Sequence, residues 1–185
     1  MAGLLGLGRL RGPGRHERAG FQLYGAAVAA AREPYFYQAL GVPDTLDGRF
    51  DMVSLYAFLL IHRLTGEPEP GPTLAQAVFD AMFSDMDINL REMGVGDLGV
   101  SRRVRTMWEA FHGRANAYEA AMSDPADDLQ AALTRNVWRG ADPPIGAAAA
   151  LARIVQAQAA NLAGQPLDAL AAGEVRFAPA AEPTR

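Results

Sequence analysis

The chain has 185 residues, half of them hydrophobic and about a fifth charged, with a formal net charge of −4. That suffices for one domain with a sizeable core, is too apolar for a disordered chain, and excludes a surface that is basic all round, as a nucleic-acid binder's would be. There is no cysteine, which excludes disulfides, iron–sulfur ligation and thiol chemistry, and all seventeen basic residues are arginine, a usage that, with the many alanines, glycines and prolines, points to a GC-rich bacterial genome.

The chain opens with MAGLLGLGRLRGPGRHER, in which Arg9, Arg11, Arg15 and Arg18 precede or flank a single acid, Glu17. A secretory signal places its positive charges before about 7–15 apolar residues, the reverse of this order. Residues 1–19 therefore read as a basic flexible arm, either a frayed terminus or a segment lying on an anionic membrane surface. Gly20 to Arg32 is alanine-rich, with Phe21, Tyr24 and Val28 at helical spacing, and Glu33-Pro34 should end that helix because a residue before proline avoids the helical region. In Tyr35-Phe36-Tyr37 three successive aromatics cannot share one face, so core packing is expected for two and exposure for one.

Thr45 or Asp44 is the expected cap of the next helix. Met52 to Ile61 is apolar except for Ser54. Ten such residues cannot cross a bilayer, which takes about 20, so this is read as the central buried helix, with His62 and Arg63 well placed at its negative end. EPEPGP, from Glu67 to Pro72, reads as a non-helical connector. Thr73-Leu74-Ala75-Gln76 has the form of a capping box, and Phe79, Phe83, Met86, Leu90 and Met93 then mark one helix face, with Asp80, Ser84, Asp87 and Arg91 opposite. Gly94 follows as a left-handed stop.

Two look-alikes at this corner are set aside. Asp85-Met86-Asp87-Ile88-Asn89 begins like a calcium loop, but Leu90 stands where glycine is required and Gly96 where a bidentate glutamate is required. On a helix, Asp85 and Asp87 also point about 200° apart. Gly94-Val95-Gly96-Asp97-Leu98-Gly99 matches G-x-G-x-x-G, but a helix precedes it where a dinucleotide site needs a strand. After the corner, Val104, Met107, Trp108, Phe111, Ala115, Tyr118 and Met122 form a further apolar stripe. Asp124-Pro125 is read as a cap and helix start, with Leu129, Leu133 and Val137 pointing inward. An alanine-rich helix is expected from Ile145 to about Ala163, a short turn at Leu167–Leu170, and an extended Val175-Arg176-Phe177. No alternating strand pattern or internal repeat is present. The expected fold is all-α: one compact domain over residues 20–177, of six to seven helices with short Gly/Pro-punctuated loops, and a flexible tail over 178–185.

The chain is poor in catalytic patterns. His16, His62 and His112 lack any metal-ligand spacing, none of the four serines sits in a nucleophile elbow, and there is no phosphate loop. No cofactor, metal or catalytic residue is expected. One enzyme reading rests on Asp47/Asp51 and Asp124/Asp128, two D-x-x-x-D pairs like those that hold magnesium in all-helical diphosphate enzymes. A charged surface is better marked. Arg102, Arg103 and Arg105 lie near a helix start, where the dipole disfavours cations by about 0.3–1 kcal/mol each, so either intramolecular acids (Asp97, Asp85) or a partner must compensate. With Arg49, Asp51, Asp87, Arg91 and Asp97 they form the candidate partner-binding surface. An RNA- or ribosome-binding helical adaptor is the other non-enzymatic reading.

Two segments carry a resemblance. GVPDTLDGRFDMVSLYAFLLIHRL (Gly41 to Leu64) and FDAMFSDMDINLREMGVGDLGVSRRVRTM (Phe79 to Met107) closely resemble the ubiquinol–cytochrome c chaperone family, with looser similarity from about Tyr24 to Phe177. The resemblance implies a non-enzymatic chaperone that binds newly made cytochrome b before haem insertion and subunit docking, and so supports biogenesis of the cytochrome bc1 complex. Eukaryotic relatives act with a small partner protein and near the ribosome; both partners stay open for this chain. The implied location is the cytoplasm, with peripheral contact at the inner membrane open, and no DNA partner.

Overall fold

The structure, a computed structural model, describes residues 14–123 and 128–180. Within them lie eight helices and no strand: α1 (Arg15–Ala31), α2 (Pro34–Gln38), α3 (Leu46–Thr65), α4 (Gly71–Glu92), α5 (Asp97–Ser123), α6 (Leu129–Val137), α7 (Ala147–Ala163) and α8 (Leu167–Ala171). Six are long, and α2 and α8 are single turns of five residues. The all-α expectation holds.

Helix α3 is the centre. Every residue from Phe50 to Leu60 is buried, and the helix touches α1, α4, α5, α6 and α7. An isolated helix gains little from propensity; what fixes α3 is that each fully buried Leu, Phe or Met contributes about 1.5–3 kcal/mol of transfer free energy. Thr45 caps it, its side chain accepting from the Gly48 amide at 3.1 Å. At its far end Arg63 donates to the carbonyls of Leu162 (2.9 Å) and Gln165 (3.1 Å). A cation thus sits where α7 ends and its carbonyls lack intrahelical partners.

Helices α1 and α4 lie side by side against α3. They approach closely because position 20 is glycine: a Cβ there would stand 2.6 Å from the Ala77 Cβ. Phe36 is fully buried, with Tyr35 and Tyr37 half-buried beside it. Leu129, Leu133 and Val137 of α6 face inward as expected.

Several boundaries differ from the sequence reading. Helix α1 starts at Arg15, because the Glu17 carboxylate accepts from the Gly14 amide and closes a first turn; five residues expected in the arm are helical. The capping box at Thr73 does not form. Helix α4 begins two residues earlier, at Gly71, with Pro72 in its first turn, where a missing N–H costs nothing. Thr73 instead donates to Glu69 at 2.8 Å. Helix α7 begins at Ala147, leaving Ile145 exposed. Met93 and Trp108, expected on buried stripes, are exposed. Ala178 and Ala180, expected in the tail, are tied down: Gln158 bonds both the amide and the carbonyl of Ala178, and the Ala180 amide donates to Glu33. Residues 1–13 of the expected arm, Asp124-Pro125 and residues 181–185 lie outside the described residues.

Candidate functional site

The corner between α4 and α5 is closed by backbone geometry. Gly94 adopts φ +80°, its amide bonds to the Arg91 carbonyl, and the Val95 amide reaches back to Leu90. This pair of bonds is the Schellman arrangement, and it needs the left-handed residue that glycine supplies without strain. Arg91 braces the corner from outside, donating to Asp87 one turn back and to Asp97 at the start of α5. These two carboxylates hold the Arg91 guanidinium further into its charged form. Asp97 also places a negative charge at the positive end of α5. Three of the expected surface residues thus stabilise the corner itself.

Beside this corner, the first turns of α3, the last turn of α4 and the N-terminal half of α5 enclose a groove of about 540 Å3. Phe50 and Leu90 form its apolar floor, Met107 and Ala110 one wall, and Leu46, 56% exposed, the rim. Arg102 and Arg103 line it from the second turn of α5, both exposed and, among the described residues, without an ion-pair partner. The groove brings together Arg102 and Arg103 of the expected set. Arg49 pairs with Asp44 at 2.7 Å, and Arg105 with Glu109 at 3.0 Å; neither lines the groove.

Asp51 departs from the expectation of a surface group: it is 0% exposed. Its carboxylate accepts from Arg114 Nη2 at 2.6 Å and from Arg139 Nε at 2.9 Å, and Arg139 also reaches Asp47 at 3.2 Å. The apolar run that buries α3 carries Asp51 inward on the same face, so the acid needs partners. Burial pushes its carboxyl pKa up, while the hydrogen bond from Arg139 and the Arg114 charge pull it down. Arg114 in turn lies over the Phe50 ring at 5.6 Å. Arg139 and Arg114, both lining the groove, escaped the sequence reading. Arg139 follows Trp138 at the end of α6 with φ 56°, an uncommon backbone for a non-glycine residue. Trp138 anchors that turn by donating to the Leu40 carbonyl at 3.2 Å. The only sequence signal was an acid heading a long apolar run.

Chemically the site offers guanidiniums, apolar surface and the Thr106 hydroxyl. Asp47 and Asp51, half of the magnesium reading, are each bonded to Arg139, so they face an arginine where that reading needs a metal; Asp124 lies outside the described residues. The groove thus combines apolar surface with positive charge. A larger recess of about 670 Å3 lies between α5, α6 and α7. Among the described residues no helix is long and apolar enough to cross a membrane.

The family described as ubiquinol-cytochrome C chaperone matches residues 38–177, about three quarters of the chain. The crystal structure of the Cbp3 homolog from Brucella abortus superposes with a TM-score of 0.78 and 38% sequence identity, covering 90% of this chain and 92% of that one. Ubiquinol-cytochrome-c reductase complex assembly factor 1 of Xenopus laevis is 24% identical over 119 residues. That match takes in 64% of this chain, which spans 60% of the length of the frog protein.

Proposed function

The chain belongs to the ubiquinol-cytochrome c chaperone family, and we propose that it is a non-enzymatic assembly chaperone of the cytochrome bc1 complex that holds newly made cytochrome b. The observation that carries this reading is the family match across residues 38–177. It takes in both α3 and the whole α4–α5 hairpin, the elements that build the groove. The similarity to an assembly factor of ubiquinol–cytochrome c reductase supplies the client complex. The site supports a binding role, since the carboxylates nearest the groove are engaged by arginine.

In this reading the working surface is the groove with its surroundings. Arg102 and Arg103 present positive charge, Arg49 and Arg105 flank them within ion pairs to Asp44 and Glu109, the Asp87–Arg91–Asp97 brace holds the corner in place, and Asp51 fixes the floor from beneath. A membrane subunit awaiting haem and its neighbouring subunits exposes apolar and charged surface that would otherwise aggregate. A chaperone at the cytoplasmic face of the inner membrane covers part of it. The test is a redox difference spectrum of membranes from a strain lacking the gene, with and without its restoration. Selective loss of the bc1 haem signals, recovered on restoration, is the expected result; unchanged bc1 content would overturn the proposal.

A further inference from the structure

The last described segment is held the way a bound peptide is held. After α8 and Gly173, residues 174–180 run without helix past the face of α7 and the α1–α2 junction. Alternate amides of this strap each meet a side-chain oxygen. Arg176 N–H donates to Gln165 Oε1 at 2.9 Å, Ala178 N–H to Gln158 Oε1 at 3.0 Å, and Ala180 N–H to a Glu33 carboxylate oxygen at 3.0 Å. Two carbonyls are met as well. Gln165 Nε2 (2.7 Å) and Asn161 Nδ2 (2.6 Å) donate to that of Arg176, and Gln158 Nε2 (2.6 Å) to that of Ala178.

Gln158 and Gln165 thus each exchange two bonds with one strap residue, as a paired residue of a β-ladder does. Such pairing reads backbone at every second residue and is blind to side chains. No residue from Val175 to Ala180 makes a backbone–backbone hydrogen bond to another described residue. One side chain adds specificity: Phe177, half-buried, meets the Tyr56 ring edge-on with centroids 5.1 Å apart, and Tyr56 in turn meets buried Phe36 at 5.8 Å. Arg176 and Pro179 are exposed.

Gln158 is 1% exposed, and a buried amide without partners costs stability, so this row calls for an extended backbone. The bonds to Arg176, by contrast, lie at the surface. The strap belongs to no helix, so it opens without unravelling one.

We propose that Gln158, Asn161 and Gln165, with Glu33 and Tyr56, form a binding site for an extended segment of a second protein, one carrying an aromatic residue followed by a small one. Residues 174–180 close the site in cis until such a segment displaces them. A second copy of this chain is the weaker occupant: its strap makes the same contacts but lacks the effective concentration, on the order of mM, that a tether gives the resident one. A foreign segment adds contacts beyond those of residues 174–180. The site shares no lining residue with the groove beside the α4–α5 corner, so the client keeps that surface, and failure of either reading leaves the other standing.

The probe is a labelled peptide EVRFAPA, the sequence of Glu174 to Ala180, titrated into the full chain by fluorescence anisotropy. Phe177→Ala removes the resident anchor and keeps the amide row, so the peptide is expected to bind this variant at least about tenfold more tightly than the unsubstituted chain. Methylating the peptide nitrogens at the positions of Arg176 and Ala178 deletes both donors and should abolish binding. A peptide that keeps only Phe-Ala, among serines and glutamates, should bind within about threefold of the first. No binding to the Phe177→Ala chain, or equal binding of the methylated peptide, would overturn the proposal.

The unsubstituted chain supplies a readout that needs no variant. Saturating peptide should speed hydrogen exchange at the Ala178 amide and leave α3 unchanged; unaltered exchange at Ala178 would also overturn the proposal. Light scattering of the same samples separates the occupants. A monomer throughout supports a foreign segment, whereas a dimer that the peptide dissolves would make the occupant a second copy and overturn the assignment.

Discussion

Asp51 is the one charged residue that is buried among the described residues, and its surroundings set the cost of disturbing it. An ionised carboxylate out of water is tolerated only with close partners, and here two guanidiniums supply them. Truncating one member of a buried ion pair leaves the others uncompensated, typically at about 3–5 kcal/mol. Asp51→Ala is therefore expected to lower unfolding free energy by about that amount, read from chemical denaturation. Arg139→Ala should cost less, because the Arg139 side chain is half-exposed and solvent already screens it. Equal losses for the two substitutions would show that Arg114 alone does not suffice to hold the carboxylate. None of this was legible locally: Arg114 and Arg139 lie 63 and 88 residues from Asp51 along the chain. The sequence placed Asp51 near the right elements but on the wrong side of the surface.

Helices were legible as periods and less so as boundaries, and α1 shows why. Its alanine-rich interior announces a helix, but its start depends on whether Glu17 turns back to the Gly14 amide, a local choice that apolar spacing does not encode. The same helix carries two glycines with opposite roles. Gly20 faces Ala77 of α4 so closely that an added Cβ meets both backbone and side chain at 2.6 Å. Alanine gains about 1 kcal/mol of helix propensity over glycine, but overpacking costs about 1–3 kcal/mol, and here the neighbour is backbone and cannot step aside. Gly20→Ala is expected to destabilise the fold, whereas Gly25→Ala, with nothing within 4 Å, should stabilise it by about 0.5–1 kcal/mol. A rise in denaturation midpoint for both would mean that α1 and α4 are free to separate. The extended Val175-Arg176-Phe177 was legible in sequence, but what straps it and Ala178 to α7 was not. Gln158 and Asn161 on α7 and Gln165 just past its end lie at steps of three and four and bond the backbone of residues 176 and 178, so alanine-rich spacing concealed an amide row. Gln158→Ala should remove hydrogen-exchange protection at Ala178 while leaving that of α3 intact. Retained protection at Ala178 would assign the strap's hold to the contact of Phe177 with Tyr56 instead.

At the scale of the whole molecule, the composition makes one kind of titration unusually clean. With no lysine and no cysteine, and with arginine charged to beyond about pH 12, tyrosine is the only side chain that loses a proton in the range just above pH 10. Tyr24, Tyr56 and Tyr118 sit on α1, α3 and α5, and all three are buried. Burial pushes each of their pKa values upward, aided at Tyr24 by its hydrogen bond to Asp85 at 2.8 Å. In the unfolded chain they ionise near the ordinary value of 10.0. Above that pH the folded chain therefore holds more protons than the unfolded one, and stability must fall as pH rises. Each of the three removes up to about 1.4 kcal/mol per pH unit until its own folded-state pKa is reached. Because the three side chains come from three helices packed in one core, the loss should appear as cooperative unfolding, with tyrosinate absorbance and helical circular dichroism changing together. Tyr118→Phe keeps the ring and removes the hydroxyl, so it should flatten the alkaline slope by about 1.4 kcal/mol per pH unit. Tyrosinate absorbance that rises at pH 10 while the helices persist would show that these hydroxyls reach solvent without unfolding, and the burial argument would fail.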